Sequence, residues 1–583
     1  MTPTRNVKCL CSALVLALAG SAHAGDAGTL AVPAGKTVVI DKTVALRQLR
    51  IADHASLAAP AGESLTLTVN GIGTPIAAGS YSGDVVLSVT QDIPVPFMGR
   101  KDPYLYRTGV YIDDGVYVAD KSVAAIVAPG ATISNASANH VSIRSHEEDF
   151  NGIVVTGHST YTINDPVIDL VGNGGNDFAG YGAAIMTSGT AKVTIDHARI
   201  TTHGAVRTAL WIGGDSTLTV NNSFIDVKNG QLPSGYTFSI KPGEMMEVPY
   251  GLGITGNVRA TNLMDHGTVY YNHDHVRAQG WGALSSDGDG PTHMYATGTL
   301  VETVDSGYGA YANGDAHDHF SHCTFKVADV GLIIGGRGSG TFTDGTVVDS
   351  GKFGVLMHQG SGGGTLTIEK GSVFNTKSTL IEVKGRGTTI VVDDAELHPG
   401  NGVILQGMDN DDPIMLEMAR HPPSGADAVA PGALPGPPAG SPVFSSNIVA
   451  TFRHVHLHGD LLNGMTDIGD MLVTLQQASI EGAISTSTTT PCSGKPPTRA
   501  TLHEIGCVNN ALGPNSGKHG LQLTLDGASH WTVTETSYLN RLTLAPGAVV
   551  DAVYGKHVVL LVDGAVVPLK AGSYHGKIVL KLS

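Results

Sequence analysis

The sequence is poor in the residues that helical, membrane-spanning and nucleic-acid-binding proteins need. Charged residues make up 15% of the 583 positions, aromatic residues 5%, and the formal net charge is −16 without any basic block. Sequence-independent binding of phosphate backbones needs clustered lysine and arginine, so we expect no nucleic-acid partner. Beyond the N-terminal segment no apolar run reaches the length of a membrane span, so we expect no transmembrane helix.

Cysteine is also scarce, and its positions indicate an exported protein. Residues 1–24 combine Arg5 and Lys8, an apolar stretch and an Ala-His-Ala cleavage site, which is the pattern of a secretory signal peptide. Cys492 and Cys507 lie in a Pro/Thr-rich loop, and this suits a disulfide in an oxidising compartment. We therefore expect a protein secreted to the medium or the outer surface, with the periplasm as an alternative.

Glycine is abundant, and its spacing predicts the fold. The chain has 76 glycines, about 13% and nearly twice the usual share. A small residue followed by an apolar run recurs from residue 282 onward at intervals of 27, 22, 23, 25 and 23. Such a period, with about three short strands in each, is typical of one coil of a parallel β-helix, whose stacked coils share one core. Glycine fits because coils need positive φ or close backbone approach.

The two ends of the chain carry the same module. Residues 43–90 align with residues 536–583 without a gap and with 18 identities in 48 positions, including Ala78-Gly-Ser-Tyr81 against Ala571-Gly-Ser-Tyr574. A solenoid must cover its open end strands, so the module is interpreted as a cap, with a docking module as the alternative.

These features predict the following organisation. A signal peptide (1–24) precedes an N-terminal capping module (25–91), a parallel β-helix (92–535) and a C-terminal copy of the capping module (536–583). Three loops are expected to interrupt the β-helix, at 227–250, 421–442 and 486–519.

One stretch resembles the segment that closes the passenger β-helix of pertactin-type autotransporters: Ser529-His-Trp531-Thr-Val533, then Leu539, Leu542, Leu544 and Gly547. Residues 270–412 are similar to secreted bacterial right-handed β-helix proteins. The resemblance implies an all-β chain, folded as a single right-handed parallel β-helix with a duplicated terminal module. Autotransporters continue into a membrane barrel and this sequence does not, so we expect release or capture by a separate partner.

Counting forward from each glycine mark places charged residues on one edge of the predicted β-helix. The candidate catalytic residues are Asp287, Asp289, Asp315, His317, Arg337 and His358. Carboxylates on neighbouring coils suit glycoside hydrolysis, and an arginine beside a histidine suits proton abstraction from a uronate. The alternative is that these are the exposed polar turns of any solenoid, which stabilise little.

Histidine-rich segments raise the possibility of a divalent cation, since imidazole and carboxylate bind several such ions. No other cofactor is indicated. Asp315-Ala-His317-Asp318 also resembles the Asp-Pro-His-Asp motif of alginate epimerases, with Ala316 in place of proline. Asp409-Asn-Asp-Asp412 offers oxygen ligands for calcium, with a solvated turn as the alternative.

Two functions follow as hypotheses. In the first, the rod is an adhesin-like protein that binds extracellular polysaccharide or another cell-surface ligand. In the second, it is a lyase, epimerase or glycosidase that uses the Asp/Arg/His edge.

Overall fold

A computed structural model describes residues 28–98, 100–288, 290–358, 362–420, 445–515 and 517–583. The predicted signal peptide, the predicted loop at 421–442 and Asp289 lie outside the described residues. The described chain is nearly all β, and its long sheets consist of parallel strands. The predicted all-β, repeated parallel architecture is confirmed, and it is consistent with a β-helix.

Each turn of the chain contributes one strand to each of three ladders. Strands of the first ladder alternate inward apolar and outward polar residues, as in Thr217–Asn221, whose burial alternates along the strand. This is the period that a half-buried strand requires. Every coil pairs in parallel with the next, so inward side chains stack into one continuous core.

The first ladder contains Ser137–Asn139, Thr160–Asn164, Lys192–Asp196, Thr217–Asn221, Thr268–Asn272, Thr292–Thr297, Ala316–Ser321, Ser339–Thr343, Thr365–Thr376, Thr388–Pro399, Ile448–Arg453, Met471–Gln476, Leu521–Leu525 and Ser537–Leu544. The second contains Ser142–Ser145, Val167–Val171, Arg199–His203, Phe224–Lys228, His275–Ala278, Leu300–Thr303, Thr324–Val327, Val347–Ser350, the distal halves of Thr365–Thr376 and Thr388–Pro399, then His456–His458, Ser479–Gly482, His530–Val533 and Val549–Ala552. The third contains Tyr104–Asp113, Phe150–Thr156, Ile185–Thr187, Leu210–Ile212, Thr261–Leu263, Gly282–Ser286, Tyr308–Ala312, Val330–Gly335, Phe353–His358, Ile381–Lys384, Val403–Met408, Asp460–Asn463 and Ile484–Pro491.

The remaining elements lie at the ends and in loops. The strands are Gly28–Val32, Thr37–Val39, Val44–Ile51, Ser56–Ala58, Glu63–Val69, Ile72–Gly73, Gly79–Gln91, Ile93–Val95, Val116–Tyr117, Thr132–Ile133, Val508–Leu512, Val558–Val562, Ala565–Val566 and Gly572–Leu582. The 3-10 helices are Ala119–Lys121, Ala124–Ile126, Tyr250–Leu252 and Arg499–Glu504, and the α-helix is Pro413–Arg420. No helix within the described ranges is long and apolar enough to span a membrane.

One left-handed residue turns the chain from the first ladder to the second. This corner residue has a φ between 50° and 59°. The residues at this position are Asp165, His197, Asn222, His273, His322, Asp344, Lys370, Asp394, His454 and Gln477. Asp, Asn and His adopt this conformation more readily than most residues that carry a side chain. His273 and His322 of the histidine-rich segments are therefore corner residues.

Two loops cover the outer face of the third ladder and form what we call the roof: residues 229–257 and 498–507. Apolar residues of the first loop pack on outward residues of the third ladder in a second core. Arg499 joins the two loops, since it lies 2.8 Å from Glu247 and 5.6 Å from the centre of the Tyr250 ring. The roof therefore covers the outer face of the third ladder, whereas the outer face of the first ladder is open.

The predicted loop at 486–519 contains ordered structure. Ile484–Pro491 continues out of the third ladder and pairs antiparallel with Val508–Leu512. The sulfurs of Cys492 and Cys507 are bonded in a disulfide at the end of this pair. The disulfide therefore holds in place residues 498–507, the part of the roof that lies between these two strands.

The two copies of the end module have the same strand pairing. Val44–Ile51 pairs with Gly79–Gln91 as Ser537–Leu544 pairs with Gly572–Leu582, with the same register and the same bulge. The hydroxyl of Tyr81 bonds the Ala77 carbonyl at 2.8 Å, and that of Tyr574 bonds the Lys570 carbonyl at 2.8 Å.

The structural equivalence is longer than the sequence duplication. Gly28–Val32 pairs with Val44–Ile51 in the register with which Leu521–Leu525 pairs with Ser537–Leu544. We therefore call residues 28–91 the N-terminal module and residues 521–583 the C-terminal module. The N-terminal module joins the rod through Ile72–Gly73, which pairs with Arg144 and Ser145.

Candidate functional site

The outer face of the first ladder carries a continuous row of hydroxyl side chains. At one position of successive strands it presents Thr162, Thr194, Thr219, Thr341, Thr367, Thr451, Thr474, Thr524 and Thr543. Val391 takes the same position on one strand. Because the strands are parallel and in register, these side chains lie about 4.8 Å apart in one line.

Aromatic rings replace threonine on three consecutive strands in the middle of this row. Tyr270 and Tyr295 are neighbours in the register, and His319 follows. The two tyrosine rings lie 5.1 Å apart with 12° between their planes, and they are 39% and 37% exposed. His319 lies 6.2 Å from Tyr295. The two tyrosine rings thus stack face to face along the first ladder with their edges towards solvent, and the His319 ring is tilted by 49° to that of Tyr295.

A second pair of rings extends the platform sideways. His293 and His317 lie in the adjacent outward row, 5.3 Å apart with 23° between their planes. Partial burial and then the charge of His317 lower the pKa of His293 below its usual value. We call Tyr270, Tyr295, His293, His317 and His319 the ring platform. The neutral imidazole favoured at His293 adds a further uncharged surface.

Part of the predicted charged edge borders this platform. Asp315 lies 3.5 Å from Nε2 of His317 and 3.4 Å from Nη2 of Arg337. Nδ1 of His317 is 2.7 Å from the Ser339 hydroxyl. All these groups are partly exposed, so a charged ligand could contact Arg337 and His317 together.

The other predicted residues that the structure describes make different contacts. Asp287 accepts hydrogen bonds from Arg259 at 3.0 Å and Asn313 at 2.9 Å, at the end of a third-ladder strand. His358 lies three strands farther along the ladder, where it is 3.3 Å from Asp412. Among the six candidates, direct contacts join Asp315, His317 and Arg337, whereas Asp287 and His358 have other partners and Asp289 is outside the described residues.

The epimerase-like motif is divided between two faces of one strand. His317 faces outward, whereas Asp318 is 2% exposed and accepts a hydrogen bond from Ser286 inside the core. Burial raises the pKa of Asp318 to about 8. The buried aspartate cannot contact a ligand at the surface, so the motif does not act as one unit.

A cluster of charged residues that the sequence did not indicate lies under the roof. Lys384 is buried and its Nζ lies 2.6 Å from Asp411, whose other oxygen accepts from the Gly506 backbone N–H at 2.8 Å. Burial raises the pKa of the neighbouring Glu382 to about 8 and lowers that of Lys352 to about 8. Because the roof residue Gly506 closes over this cluster, we interpret it as the polar attachment of the roof.

No group of three or more histidine, cysteine, aspartate or glutamate side chains in the described ranges is arranged to hold a metal ion. The segment at Asp409 to Asp412 is used differently: Asp411 binds Lys384, and Asp412 accepts from the Ile414 N–H at 2.8 Å at the start of the α-helix.

The tyrosines of the platform were missed because the glycine marks lie on another ladder. Gly282 and Gly309 begin third-ladder strands, and counting from them leads to the corner near Asp315. Alignment on the recurring Thr-x-apolar segments, such as Thr217-Leu-Thr219 and Thr365-Leu-Thr367, would have placed Tyr270 in the threonine row.

Comparisons of the chain with known protein families, with curated proteins and with solved structures found no match.

Proposed function

We propose that this chain is a secreted, right-handed parallel β-helix protein that binds extended glycans at an extracellular surface through the outer face of its first ladder. One observation carries the proposal. Two exposed tyrosine rings, stacked 5.1 Å apart with 12° between their planes, lie in the middle of a straight row of threonines.

The chemistry of this face suits a sugar polymer. Each tyrosine adds a phenolic hydroxyl and an apolar ring edge to this face, so it can hydrogen-bond a sugar hydroxyl and contact the C–H groups of a sugar ring. Threonine hydroxyls both donate and accept hydrogen bonds, as sugar hydroxyls do. The row continues over many coils, and a long ligand that follows the rod axis can contact several of them.

The shape of the face favours a polymer or a polysaccharide surface over a small molecule. Small ligands bind in concave sites that bury most of their surface. The ring platform instead lies on the outer face of the ladder, with both tyrosines more than one-third exposed. Affinity would come from many weak contacts along a chain, which is typical of adhesin-like binding.

Secretion supports an extracellular ligand. The N-terminal segment has the pattern of a signal peptide, and the Cys492–Cys507 disulfide suits an oxidising compartment. An extracellular protein meets polysaccharide on cell surfaces and in the medium.

Binding to insoluble and soluble polysaccharides tests the proposal. The substitution pair Tyr270→Ala and Tyr295→Ala should lower the affinity for the bound glycan at least tenfold. Tyr554→Ala is the matched control, because Tyr554 is fully exposed at 106% and lies outside the first-ladder strands. Equal loss from both variants, or no loss from the platform variant, would contradict the proposal.

A second candidate is catalysis beside the platform. The specific observation is His317, which lies between Asp315 and Ser339 and is stacked on His293. A histidine oriented by two polar partners can act as a general base near neutral pH, and Arg337 would neutralise a uronate. Mass spectrometry of polysaccharide incubated with the protein would show unsaturated or shortened products, which His317→Ala should abolish.

A further inference from the structure

The N-terminal module has an edge that its C-terminal copy does not leave open. Its outer strands, Gly28–Val32 and Thr37–Val39, each pair with a single neighbour among the described residues. The equivalent strands Leu521–Leu525 and His530–Val533 each pair on both sides, because coils of the rod stack on them in parallel. The second module therefore shows what this type of edge binds: strands of another coil.

The open edge leaves apolar side chains incompletely covered. Leu523 and Trp531 of the C-terminal module are 0% exposed, and their equivalents Leu30 and Val38 are only half-buried. Adding a coil to the open edge would bury these two side chains as the rod buries their counterparts, and removing apolar surface from water is favourable.

The backbone of the open edge is also ready to pair. The Val32 carbonyl accepts the Ala52 N–H at 3.0 Å, so Leu30 and Val32 direct their backbone groups towards the neighbouring strand. In a parallel pair the alternate residues Thr29 and Ala31 then direct theirs outward. The outer strands contain no charge or proline, which proteins often use to protect an edge, and the one register shift in their pairing lies between Gly28 and Thr29.

We propose that the outer strand Gly28–Val32 of the N-terminal module pairs, antiparallel, with the same strand of a second copy of this chain, which joins two rods end to end. A two-fold contact is self-complementary, so one patch supplies both halves of the interface. The proposal does not depend on glycan binding.

The first-ladder edge at the opposite end of the rod is closed to such a contact. The last first-ladder strand, Ser537–Leu544, is covered by Gly572–Leu582. The dimer is therefore formed by the N-terminal ends, and it stops at two copies because the contact closes on itself.

Sedimentation velocity of the mature full chain over a concentration series tests the proposal. We expect a species of twice the chain mass that dissociates on dilution. Ala31→Pro removes an outward N–H without disturbing the inner pairing, so it should give a monomer with an unchanged melting temperature. Ala31→Lys is a second variant, since it keeps the backbone donors and places like charges across the two-fold axis.

Val566→Lys is the control at the other end of the rod, where Val566 is 72% exposed, and it should leave the dimer intact. A chain that is monomeric at every concentration overturns the proposal. So does a dimer that both Ala31 variants leave intact, or one that Val566→Lys dissociates.

Discussion

The two end modules have the same internal pairing but opposite positions on the rod. The rod stacks beneath the outer strands of the C-terminal module. In the N-terminal module it attaches at the other side, through Ile72–Gly73. One module thus closes the rod with its hairpins, and the other presents an open coil edge. A duplicated sequence therefore determines the internal fold of a module but not which of its surfaces is buried.

The largest effect should come from proline at equivalent strand positions. Thr524 and Ala31 are equivalent, and the N–H of Thr524 points towards the rod, as the Asp526 N–H does when it donates to Leu475 at 3.1 Å. Thr524→Pro removes a hydrogen bond inside the sheet and should lower stability by roughly 3 kcal/mol. Ala31→Pro should lower it by less than about 0.5 kcal/mol, since that N–H faces outward.

Thermal and denaturant unfolding followed by circular dichroism would measure both variants, at dilutions where the chain is a monomer. If the two prolines destabilised the monomer equally, the edge of the N-terminal module would be paired within the chain, and the contrast between the modules would be wrong.

The next effect concerns the position where the modules differ in docking. Gly73 packs against the rod, because a Cβ there would lie 2.4 Å from the Ser145 hydroxyl and 2.9 Å from Ile126. Its counterpart is Val566, which is exposed. Gly73→Val should cost about 1–3 kcal/mol through overpacking and loosen the N-terminal module, whereas Val566→Gly should change stability little.

Limited proteolysis reports this loosening. Cleavage between the N-terminal module and the rod should accelerate in Gly73→Val and stay unchanged in Val566→Gly. Equal cleavage rates for the two variants would show that the attachment at Ile72–Gly73 does not hold the module.

A pH-dependent effect separates the rod from both modules. Burial raises the pKa of Asp318 to about 8 and that of Asp274 to about 7, and both residues belong to the rod. These folded-state values exceed the ordinary value of aspartate, so the stability they contribute is complete below about pH 4 and declines as the pH rises towards 8. Asp318→Asn should flatten this decline.

Melting curves of the parent chain and Asp318→Asn between pH 4 and pH 8 would measure the difference. Parallel pH dependences in the two proteins would contradict the buried, protonated state of Asp318.

The smallest effect should be the same in both modules. The hydroxyls of Tyr81 and Tyr574 close equivalent turns with bonds of 2.8 Å to the carbonyls of Ala77 and Lys570. Tyr81→Phe and Tyr574→Phe should each cost about 1 kcal/mol. Denaturant unfolding of the two variants would show whether the internal equivalence of the modules extends to energetics, and clearly unequal losses would indicate that it does not.

The length of the coil repeat could be predicted from the sequence, because each glycine mark has a physical reason. A Cβ on Gly331 would lie 2.4 Å from the carbonyl of Gly354 on the next coil, and a Cβ on Gly309 would lie 2.8 Å from that of Gly331. The close approach repeats with every coil, so its interval gives the repeat. The duplicated module was visible for the same reason: Gly83 and Gly576 each face an Asn or Asp side chain at the same turn.

The candidate site was only partly predictable. Asp315, His317 and Arg337 lie close together because they occupy the same corner of successive coils. Tyr270 and Tyr295 were not found, because outward positions show no composition signal until the strands are aligned in register. The ion pair between Asp287 and Arg259 could not be predicted, because Arg259 is buried and its other partner, Asp177, is far away in the chain.

Side-chain footprinting by hydroxyl radicals tests most directly the proposal that the outer face of the first ladder binds glycan. Oxidation of Tyr270 and Tyr295 would be compared with that of Tyr554, with and without the polysaccharide that the protein binds best. We expect bound glycan to protect the two platform tyrosines from oxidation and to leave the oxidation of Tyr554 unchanged. Protection confined to the roof or to the end modules, with Tyr270 and Tyr295 oxidised as in the free protein, would contradict it.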